Sequence, residues 1–509
     1  MSIARALSCV TLAVDGYPIE VEAHVADGLV GMNVTGMADT SINEAKDRVR
    51  AAISNSGAKW PMRRITVGLS PAALPKHGSG LDVAIAMAIL SADGQLSLPL
   101  DTQTMFLGEL SLDGRVRRSR GSLVAALTAQ SQGCIRLFVS NEDADVVALV
   151  SSIEVIAVSH LSEVIRIFGG DVEPVEVAPM TNEVIAAEAE SSLNFNQVRG
   201  QSWAKFALQV AAAGGHHAAL IGPPGVGKTL LASRFPGILP MLTHAEQLHV
   251  AAIGSAIGSP ALLNPIPPFA APHHTASYTA LIGGGSGVPV VGMVTRAHHG
   301  VLFLDEAPEF ATNVLDALRQ PLESGTVHVA RREFTLTLPA RFQLLIAANP
   351  CPCGHAMDPH GRCSCTPMQR KRYLARISGP LLDRIDIRVV VDSAPLQLLI
   401  DDDQPVESSE NIRERVILAR HRMQNRFKDL PWSTNAEIPG TAIREMFPLT
   451  PQIHSYLVQH LSKQTSARGF DRVLKVGWTL ADLADRDSPN EVDIASAIAL
   501  RDAQGKWPA

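Results

Sequence analysis

An α/β fold, with a parallel sheet covered by helices, is predicted for residues 193–399 by two features of the chain. Short apolar runs recur at 217–222 (HAALIG), 300–304 (GVLFL) and 342–348 (FQLLIAA), with helical segments between them. Runs of this length without polar alternation mark strands covered on both faces. A glycine-rich turn, GPPGVGKT (222–229), then stands between the first run and the next helix. WAKFALQVAAAGG (203–215), just upstream, reads as a helix closed by its glycines.

Residues 1–168 read as a separate α+β domain. RITVGLSPA (64–72) alternates like a strand, and GLDVAIAMAILSADG (80–94) comes next as a helix with a glycine stop, its middle apolar enough to be buried. An acidic linker with two prolines fills 169–192. A second acidic break, IDDDQPVESSE (400–410), opens a helical C-terminal domain spanning 400–509, whose first helix begins NIRERVILARHRMQNRF. A length of 509 residues accommodates this division. The net charge of −6 excludes a global basic field, so any nucleic-acid surface must be a local patch or a pore lining. No signal peptide and no apolar stretch long enough for a membrane span is read, so a soluble, cytoplasmic protein without a membrane partner is expected.

The turn GPPGVGKT has the phosphate-binding spacing G-x-x-x-x-G-K-[ST] in the setting that chemistry needs. Gly222, Pro223, Pro224, Gly225, Val226 and Gly227 form a loop whose backbone amides curl around phosphates. Lys228 reaches the β- and γ-phosphates, and Thr229 offers a hydroxyl to Mg²⁺. VLFLDE (301–306) ends a buried strand in two carboxylates: Asp305 to hold the magnesium, Glu306 to polarise the attacking water. Asn349 ends another strand, where an amide orients water or the γ-phosphate; taken alone it is only a strand-end asparagine. Arg384, in SGPLLDRID (378–386), is either a surface ion pair or an arginine offered to a neighbouring subunit's γ-phosphate. ATP and Mg²⁺ are the expected cofactors.

Four of the six cysteines crowd into ANPCPCGHAMDPHGRCSCTP (348–367), as Cys351, Cys353, Cys363 and Cys365. Two C-x-C pairs separated by nine residues let four sulfurs converge on Zn²⁺ within an insert at 349–367, although C-x-C is tighter than the common C-x₂₋₄-C spacing. His355 and His360 are possible replacement ligands, and reduced free thiols or a disulfide are the other readings. Behind the cluster, Arg370, Lys371, Arg372 and Arg376 surround Tyr373, a candidate DNA patch or a solvated helix face. ESGTVHVARREFTLTLPARFQLL (323–345) reads as a hairpin with Arg331 and Arg332 at its tip, again either phosphate contacts or an ordinary turn. Three His-His pairs (216–217, 273–274, 298–299) are poor chelates, since strand neighbours point to opposite faces; 216–217 reads as strand entry and the other two as nucleotide-proximal loop or core residues.

Taken with APHHTASYTALIGGG, AHHGVLFLDEAPEF, LRQPLESGTVHVARR, CSCTPMQRKRYLARISGPLLDRID and SARGFDRVLKV, these motifs make residues 193–509 resemble the AAA+ ATPases of the magnesium-chelatase-like group. The whole chain resembles the ComM/YifB family of bacterial proteins. The resemblance implies a ring, with six subunits the expected number, that hydrolyses ATP between subunits and translocates on single-stranded or branched DNA in branch migration. It implies Asn349 as sensor 1, Arg384 as a finger acting on the neighbour, and Arg468 as sensor 2 on the lid, with Arg472 one turn on as the alternative. It makes the 323–345 hairpin a pre-sensor hairpin facing the pore. A metal-insertion motor and a protein remodeller are the rival activities. The family commonly has an arginine where this chain has Trp478.

Residues 1–168 resemble the ChlI-type domain, related to the Lon protease domain and the ribosomal S5 fold, through PKHGSGLDVAIAMAIL (75–90) and LGELSLDGRVRRSRGSLVAAL (107–127). Lon-type proteolysis needs a serine in the first stretch and a lysine in the second. Gly80 occupies the serine position, Ser79 lies one residue away, and Gly121-Ser122-Leu123 offers no lysine, so a proteolytically inactive domain is expected. Arg117, Arg118 and Arg120 form a small basic cluster there.

Overall fold

The structure, a computed structural model, describes residues 2–36, 40–72, 74, 76, 79–177, 193–259, 263–285, 290–330, 335–357, 361–392, 406–461 and 466–503. It divides into two compact units. Arg331, Arg332 and His360, and most of the 169–192 linker, lie outside the described residues.

The first unit comprises residues 1–185 together with 247–263 and 285–291. Its seven-stranded mixed sheet runs, edge to edge, through Gly31–Thr35, Arg64–Ser70, Asp15–Ala26, Ser2–Leu12, Thr104–Phe106, Arg136–Ser140 and Glu154–Val158. Arg64–Ser70 alternates buried and exposed residues, as a strand with one face on the core must. The helix Asp82–Ala92 is buried all round except at Ser91, which explains its lack of a polar face. Ala251 and Ala252, from the later segment, pack in the same apolar cluster as Val124, Ala125 and Leu137.

The second unit holds residues 186–246, 264–284 and 292–509. Its five-stranded sheet has the order Phe269–Ala270, Gly300–Leu304, Phe342–Ala348, Ala218–Ile221, Ile387–Val390, and every pairing is parallel. Gly300–Leu304 and Ala218–Ile221 are buried at every position. The helix Ser202–Gly214 ends where Gly215 turns left-handed at φ 74°. Thr326–Ala330 and Thr335–Pro339 pair antiparallel as the expected hairpin, Thr326 opposite Pro339 and Ala330 opposite Thr335.

The C-terminal helices Ser409–Arg426, Pro451–His460, Ala467–Leu483 and Glu491–Arg501 share one hydrophobic core with this sheet, from Ala218 and Leu345 to Val416, Leu474 and Ile494. A buried polar chain runs through the same contact. His216 Nδ1 lies 2.9 Å from Asp386 Oδ2, and its Nε2 lies 2.8 Å from Thr479 Oγ1. Asn435 Nδ2 donates to Thr479 Oγ1 and Asp482 Oδ2 at 3.0 and 2.9 Å. Asp386 also pairs with Arg472. Burial pushes the His216 imidazole below its usual range, against the pull of Asp386. Burial opposes ionisation of Asp386, yet Arg472 and His216 hold its carboxyl well below the usual carboxylate range. The pair is therefore a neutral histidine donating to a carboxylate already bound by a guanidinium. Trp478 occupies the family's arginine position and lies under the guanidinium of Arg426, 4.7 Å from its ring centre, while Arg426 pairs with Asp482. The positive charge at this place in the lid comes from a different helix.

Candidate nucleotide site and the arginine cleft

Parallel strands carry the residues that come directly after them to one edge of the sheet. Ala218–Ile221 leads into the phosphate loop, Gly300–Leu304 into Asp305 and Glu306, and Phe342–Ala348 into Asn349. Register brings these ends level, since Ile221 pairs with Ala348 and Leu304 with Ile346. Gly225 and Gly227 have φ of 80° and 90°, the left-handed conformation that points their amides into the loop and that a Cβ would strain. The space a Cβ of Gly225 would enter is open. Lys228 begins the next helix and is buried, its Nζ donating to Gly222 O at 2.7 Å, Pro223 O at 2.8 Å and Asn349 Oδ1 at 3.0 Å. Burial lowers the Lys228 ammonium from its usual range, while Asp305 and Glu306 favour the charged form.

Thr229 Oγ1 donates to Asp305 Oδ2 at 2.7 Å, so a hydroxyl and a carboxylate oxygen, both donors that suit Mg²⁺, stand together. Glu306 is a non-glycine residue held left-handed, at φ 49°, with its amide donating to Asp305 Oδ1 at 2.9 Å. Such a conformation costs about 1 kcal/mol or more and is typical of functional turns. Thus Lys228, Thr229, Asp305, Glu306 and Asn349 share one edge of the sheet, in a donor set that fits ATP with Mg²⁺.

The predicted arginines do not join them. Arg384 precedes the strand Ile387–Val390, and the amide of Asp386 donates to His217 O, ahead of Ala218–Ile221. Both positions are at the N-terminal edge of the sheet. Arg384 lines a cleft there with Arg468, Arg472, Lys475, Glu323 and Asp471. Arg384 pairs with Glu323 and donates to Pro380 O at 2.6 Å; its Nε is buried and finds no acceptor among the described residues. The ion-pair reading of Arg384 is thus met, within the chain, by Glu323, and its side chain is only 11% exposed. Arg468 is exposed, whereas Arg472 is tied to Asp386.

The cysteines converge. Cys351 Sγ lies 3.3 Å from Cys353 Sγ and 3.7 Å from Cys363 Sγ, Cys353 and Cys363 are 3.6 Å apart, and all four sulfurs fall within 4.8 Å of one another. His355 is not in the group. The knuckle abuts the phosphate loop: a Cβ on Gly354 would lie 2.6 Å from Pro224 Cδ.

One sequence expectation requires correction. Tyr373 is buried beneath the helix Pro367–Leu374, so it is not an aromatic on the basic patch; Lys371 and Arg372 are exposed, Arg370 is half-buried, and Arg376 pairs with Glu309. The pairs 273–274 and 298–299 lie outside strands, as loop residues would, with rings 4.1 and 3.9 Å apart. In the first unit, Gly80 faces Leu107 and Ser119, Ser79 hydrogen-bonds Glu109, and Leu123 is fully buried.

Three family models match the chain in order. Residues 21–143 match subunit ChlI of Mg-chelatase, 194–398 match magnesium chelatase subunit ChlI, and 406–501 match its C-terminal part. The YifB protein of Escherichia coli is 39% identical over 506 residues, covering 98% of this chain and 97% of its own. The competence protein ComM of Haemophilus influenzae is 37% identical over 509 residues, covering 98% of each. The chain belongs to the ComM/YifB family of magnesium-chelatase-like proteins. In this ComM/YifB chain the 194–398 match coincides with the P-loop AAA+ module and its parallel sheet, and the 406–501 match with the helical lid. A Lon protease of Rhizobium meliloti is 30% identical over 164 residues, 30% of this chain and 20% of its own, in keeping with an S5/Lon-like first domain. ATP and Mg²⁺ are the cofactors that ComM/YifB membership implies. Among the described residues no helix is long and apolar enough to cross a membrane.

A polar neighbour of Glu306 that sequence reading missed is His274, whose Nδ1 lies 3.6 Å from Glu306 Oε2. The strand that positions it, Phe269–Ala270, is only two residues long, below what periodicity can detect.

Proposed function

We propose that this protein is a ring-forming ATPase that hydrolyses ATP at subunit junctions and uses the cycle to move along DNA. The observation that carries the reading is the placement of Arg384 and Arg472 at the sheet edge opposite the phosphate loop. Four strand residues at about 3.3 Å each separate the two edges by about 13 Å. An arginine so placed serves a triphosphate only on another copy of the chain, which supports a homo-oligomer, with a hexamer as the proposed ring. Arg468, exposed in the same cleft, acts on the neighbour with it, in contrast to a lid residue closing over its own nucleotide.

In this mechanism the loop amides of 222–227 and Lys228 grip the β- and γ-phosphates, and Thr229 and Asp305 would hold magnesium. The bound metal neutralises charge on the phosphate oxygens. Glu306 orients the attacking water and accepts its proton, and Asn349 fixes Lys228 and the γ-phosphate between them. The neighbour's Arg384 leaves Glu323 to meet the charge that develops on transfer. Cys351, Cys353, Cys363 and Cys365 would hold Zn²⁺, which would serve there as a structural ion. The first domain acts in assembly or binding and not in proteolysis, because Gly80 and Leu123 supply neither nucleophile nor base.

DNA as the polymer rests on the relative's name, competence protein ComM, and on the exposed Lys371 and Arg372, with Arg331 and Arg332 at the hairpin tip as further proposed contacts. The test is ATP turnover of the purified protein with and without forked DNA, with Glu306→Gln as control. Turnover that DNA stimulates and Glu306→Gln abolishes is expected. Stimulation by protein but not DNA would favour a remodeller, and turnover retained in Glu306→Gln would remove Glu306 from its role.

A further inference from the structure

The turn that carries Arg384 is only half satisfied by the core. After the short helix Gly379–Leu382, the amides of Arg384 and Ile385 donate back to Leu381 O and Leu382 O at 2.9 and 3.1 Å, and the amide of Asp386 donates to His217 O at 3.1 Å. The carbonyls are a different matter. Among the described residues, neither Arg384 O nor Ile385 O accepts a backbone bond. The side chains of Leu381 and Ile385 are fully buried, so the turn is pinned on its apolar side, and carbonyls held in such a place need partners. Both partners come from the lid. Arg472, on the helix Ala467–Leu483, donates to Arg384 O at 3.3 Å and pairs with the Asp386 carboxylate. Arg501, in the last turn of Glu491–Arg501, donates to Ile385 O. Residues 384, 385 and 386 are thus each held by a lid guanidinium.

We infer that Arg472 and Arg501 are positioning residues: they clamp the turn 384–386, so that the lid sets where Arg384 stands relative to the neighbour's triphosphate. Such an arginine acts only within a narrow geometry, and a misplacement of about 1 Å can cost about 10²-fold in rate. The contacts of the Arg384 guanidinium do not secure that geometry. They are to Glu323, an exposed carboxylate, and to Pro380 O, and the first must be given up when a phosphate is met. The clamp grips backbone instead. It fixes the root of the side chain and leaves the guanidinium able to exchange Glu323 for a phosphate. The same lid helix brings Arg468 into the cleft one turn before Arg472. One set of contacts therefore places Arg384 and Arg468 as a unit, and neither Arg472 nor Arg501 has to touch the nucleotide to do so.

This inference rests on the reading of Arg384 as acting on a neighbour, and the experiment separates the two. Arg501→Met keeps most of the apolar stem and removes the donors. In the full-length protein it is expected to lower kcat by about 10- to 100-fold, short of the roughly 10³-fold loss expected for the arginine itself, with ATP affinity unchanged. The variant is then mixed with each of two others. Lys228→Ala supplies an intact arginine turn, so turnover should rise above the sum of the separate proteins. Arg384→Ala supplies none, so no gain should appear. A subunit that was merely unstable would treat the two mixtures alike. Arg501→Lys, with one cationic donor left, is expected to lose about threefold in kcat and to show the same asymmetry, so the result does not depend on the folding of Arg501→Met. Wild-type kcat in both Arg501 variants, or a lowered kcat that responds equally to the two mixtures, overturns the inference; recovery in the control mixture of Lys228→Ala with Arg384→Ala then leaves the ATPase reading standing. No recovery in that control overturns both.

Discussion

The two edges of the five-stranded sheet are built in opposite ways. At the C-terminal edge, every functional group comes directly after a strand: Lys228 and Thr229 after Ala218–Ile221, Asp305 and Glu306 after Gly300–Leu304, Asn349 after Phe342–Ala348. The site needs only strand register to assemble. At the N-terminal edge, Arg384 comes from a turn of the core and Arg468, Arg472 and Lys475 from a helix of the lid, held against Glu323, Asp386 and Asp471. That cleft exists only because core and lid share a hydrophobic interior. One edge is a site within a subunit. The other is a charged cleft in which Arg384, Arg468, Arg472 and Lys475 are matched by Glu323, Asp383, Asp386 and Asp471, and which the proposed ring turns toward a neighbour.

The most severe way to break this contrast is to separate the edges between subunits. Arg384→Ala is expected to lower kcat by about 10³-fold or more, as loss of such an arginine does, with ATP binding little changed. Lys228→Ala disables the opposite edge. Mixed together, the two inactive variants should regain a measurable share of wild-type turnover, because some junctions pair an intact loop with an intact arginine. Mixing is monitored by steady-state ATP hydrolysis across a range of ratios. No recovery at any ratio, with both variants folded and co-assembled, would place Arg384 and the phosphate loop in one subunit's site and erase the distinction between the edges.

A smaller effect is expected from loosening the arginine edge at its buried root. Asp386→Asn leaves the half-buried Arg472 without its counter-charge and His216 without its acceptor; breaking a fully buried pair costs about 3–5 kcal/mol, and here the expected loss is about 2 kcal/mol or more. Chemical denaturation of Asp386→Asn against wild type measures it, and a loss below about 1 kcal/mol would dismiss the polar chain as a structural anchor. The pH dependence has a definite sign. Burial holds His216 below its usual range and pushes His217 down to about 4. Both stay neutral in the fold while the unfolded chain takes up protons below about pH 6.5, so stability is complete above that value and falls as pH drops toward 4. Asp386, held well below the carboxylate range, keeps its contribution above about pH 4 and loses it only as pH falls through its folded value. His216→Gln should flatten the first part of that decline.

The same contrast explains what could be read from sequence. The phosphate loop and the Asp305-Glu306 pair were legible because their chemistry is contiguous with an apolar run. The buried helix Asp82–Ala92 was legible because it has no polar face at all. The choice between Arg468 and Arg472 was not, since both lie one turn apart on one helix and what distinguishes them is Asp386, a partner 86 residues away in the chain. Tyr373 was misread for a related reason. Its neighbours are charged, so the local sequence suggests an exposed face, but a short helix of charged residues still needs one anchor in the protein, and the tyrosine is it. His274 was invisible as a partner of Glu306 because only the pairing of a two-residue strand brings them level.

The mildest test bears on the nucleotide edge. Four sulfurs around a zinc ion at about 2.3 Å form a tetrahedron with edges of about 3.8 Å. The separations of 3.3, 3.6 and 3.7 Å are near that figure and far from the roughly 2.05 Å of a disulfide. The purified protein is expected to carry one zinc per chain by atomic emission, and Cys363→Ser to lose it. Because the knuckle packs Gly354 on Pro224, the consequence should be felt in the phosphate loop. A lost packing contact of about 1 kcal/mol weakens ATP binding by a factor of about five. Fluorescent-nucleotide titration of Cys363→Ser, alongside wild type stripped by a chelator and then resupplied with zinc, measures this. Affinity that falls and returns with zinc makes the cluster part of the nucleotide edge. Zinc that leaves without any change in affinity would confine its role to the basic helix behind it, and would mean that the register of three strands is enough to build the phosphate site.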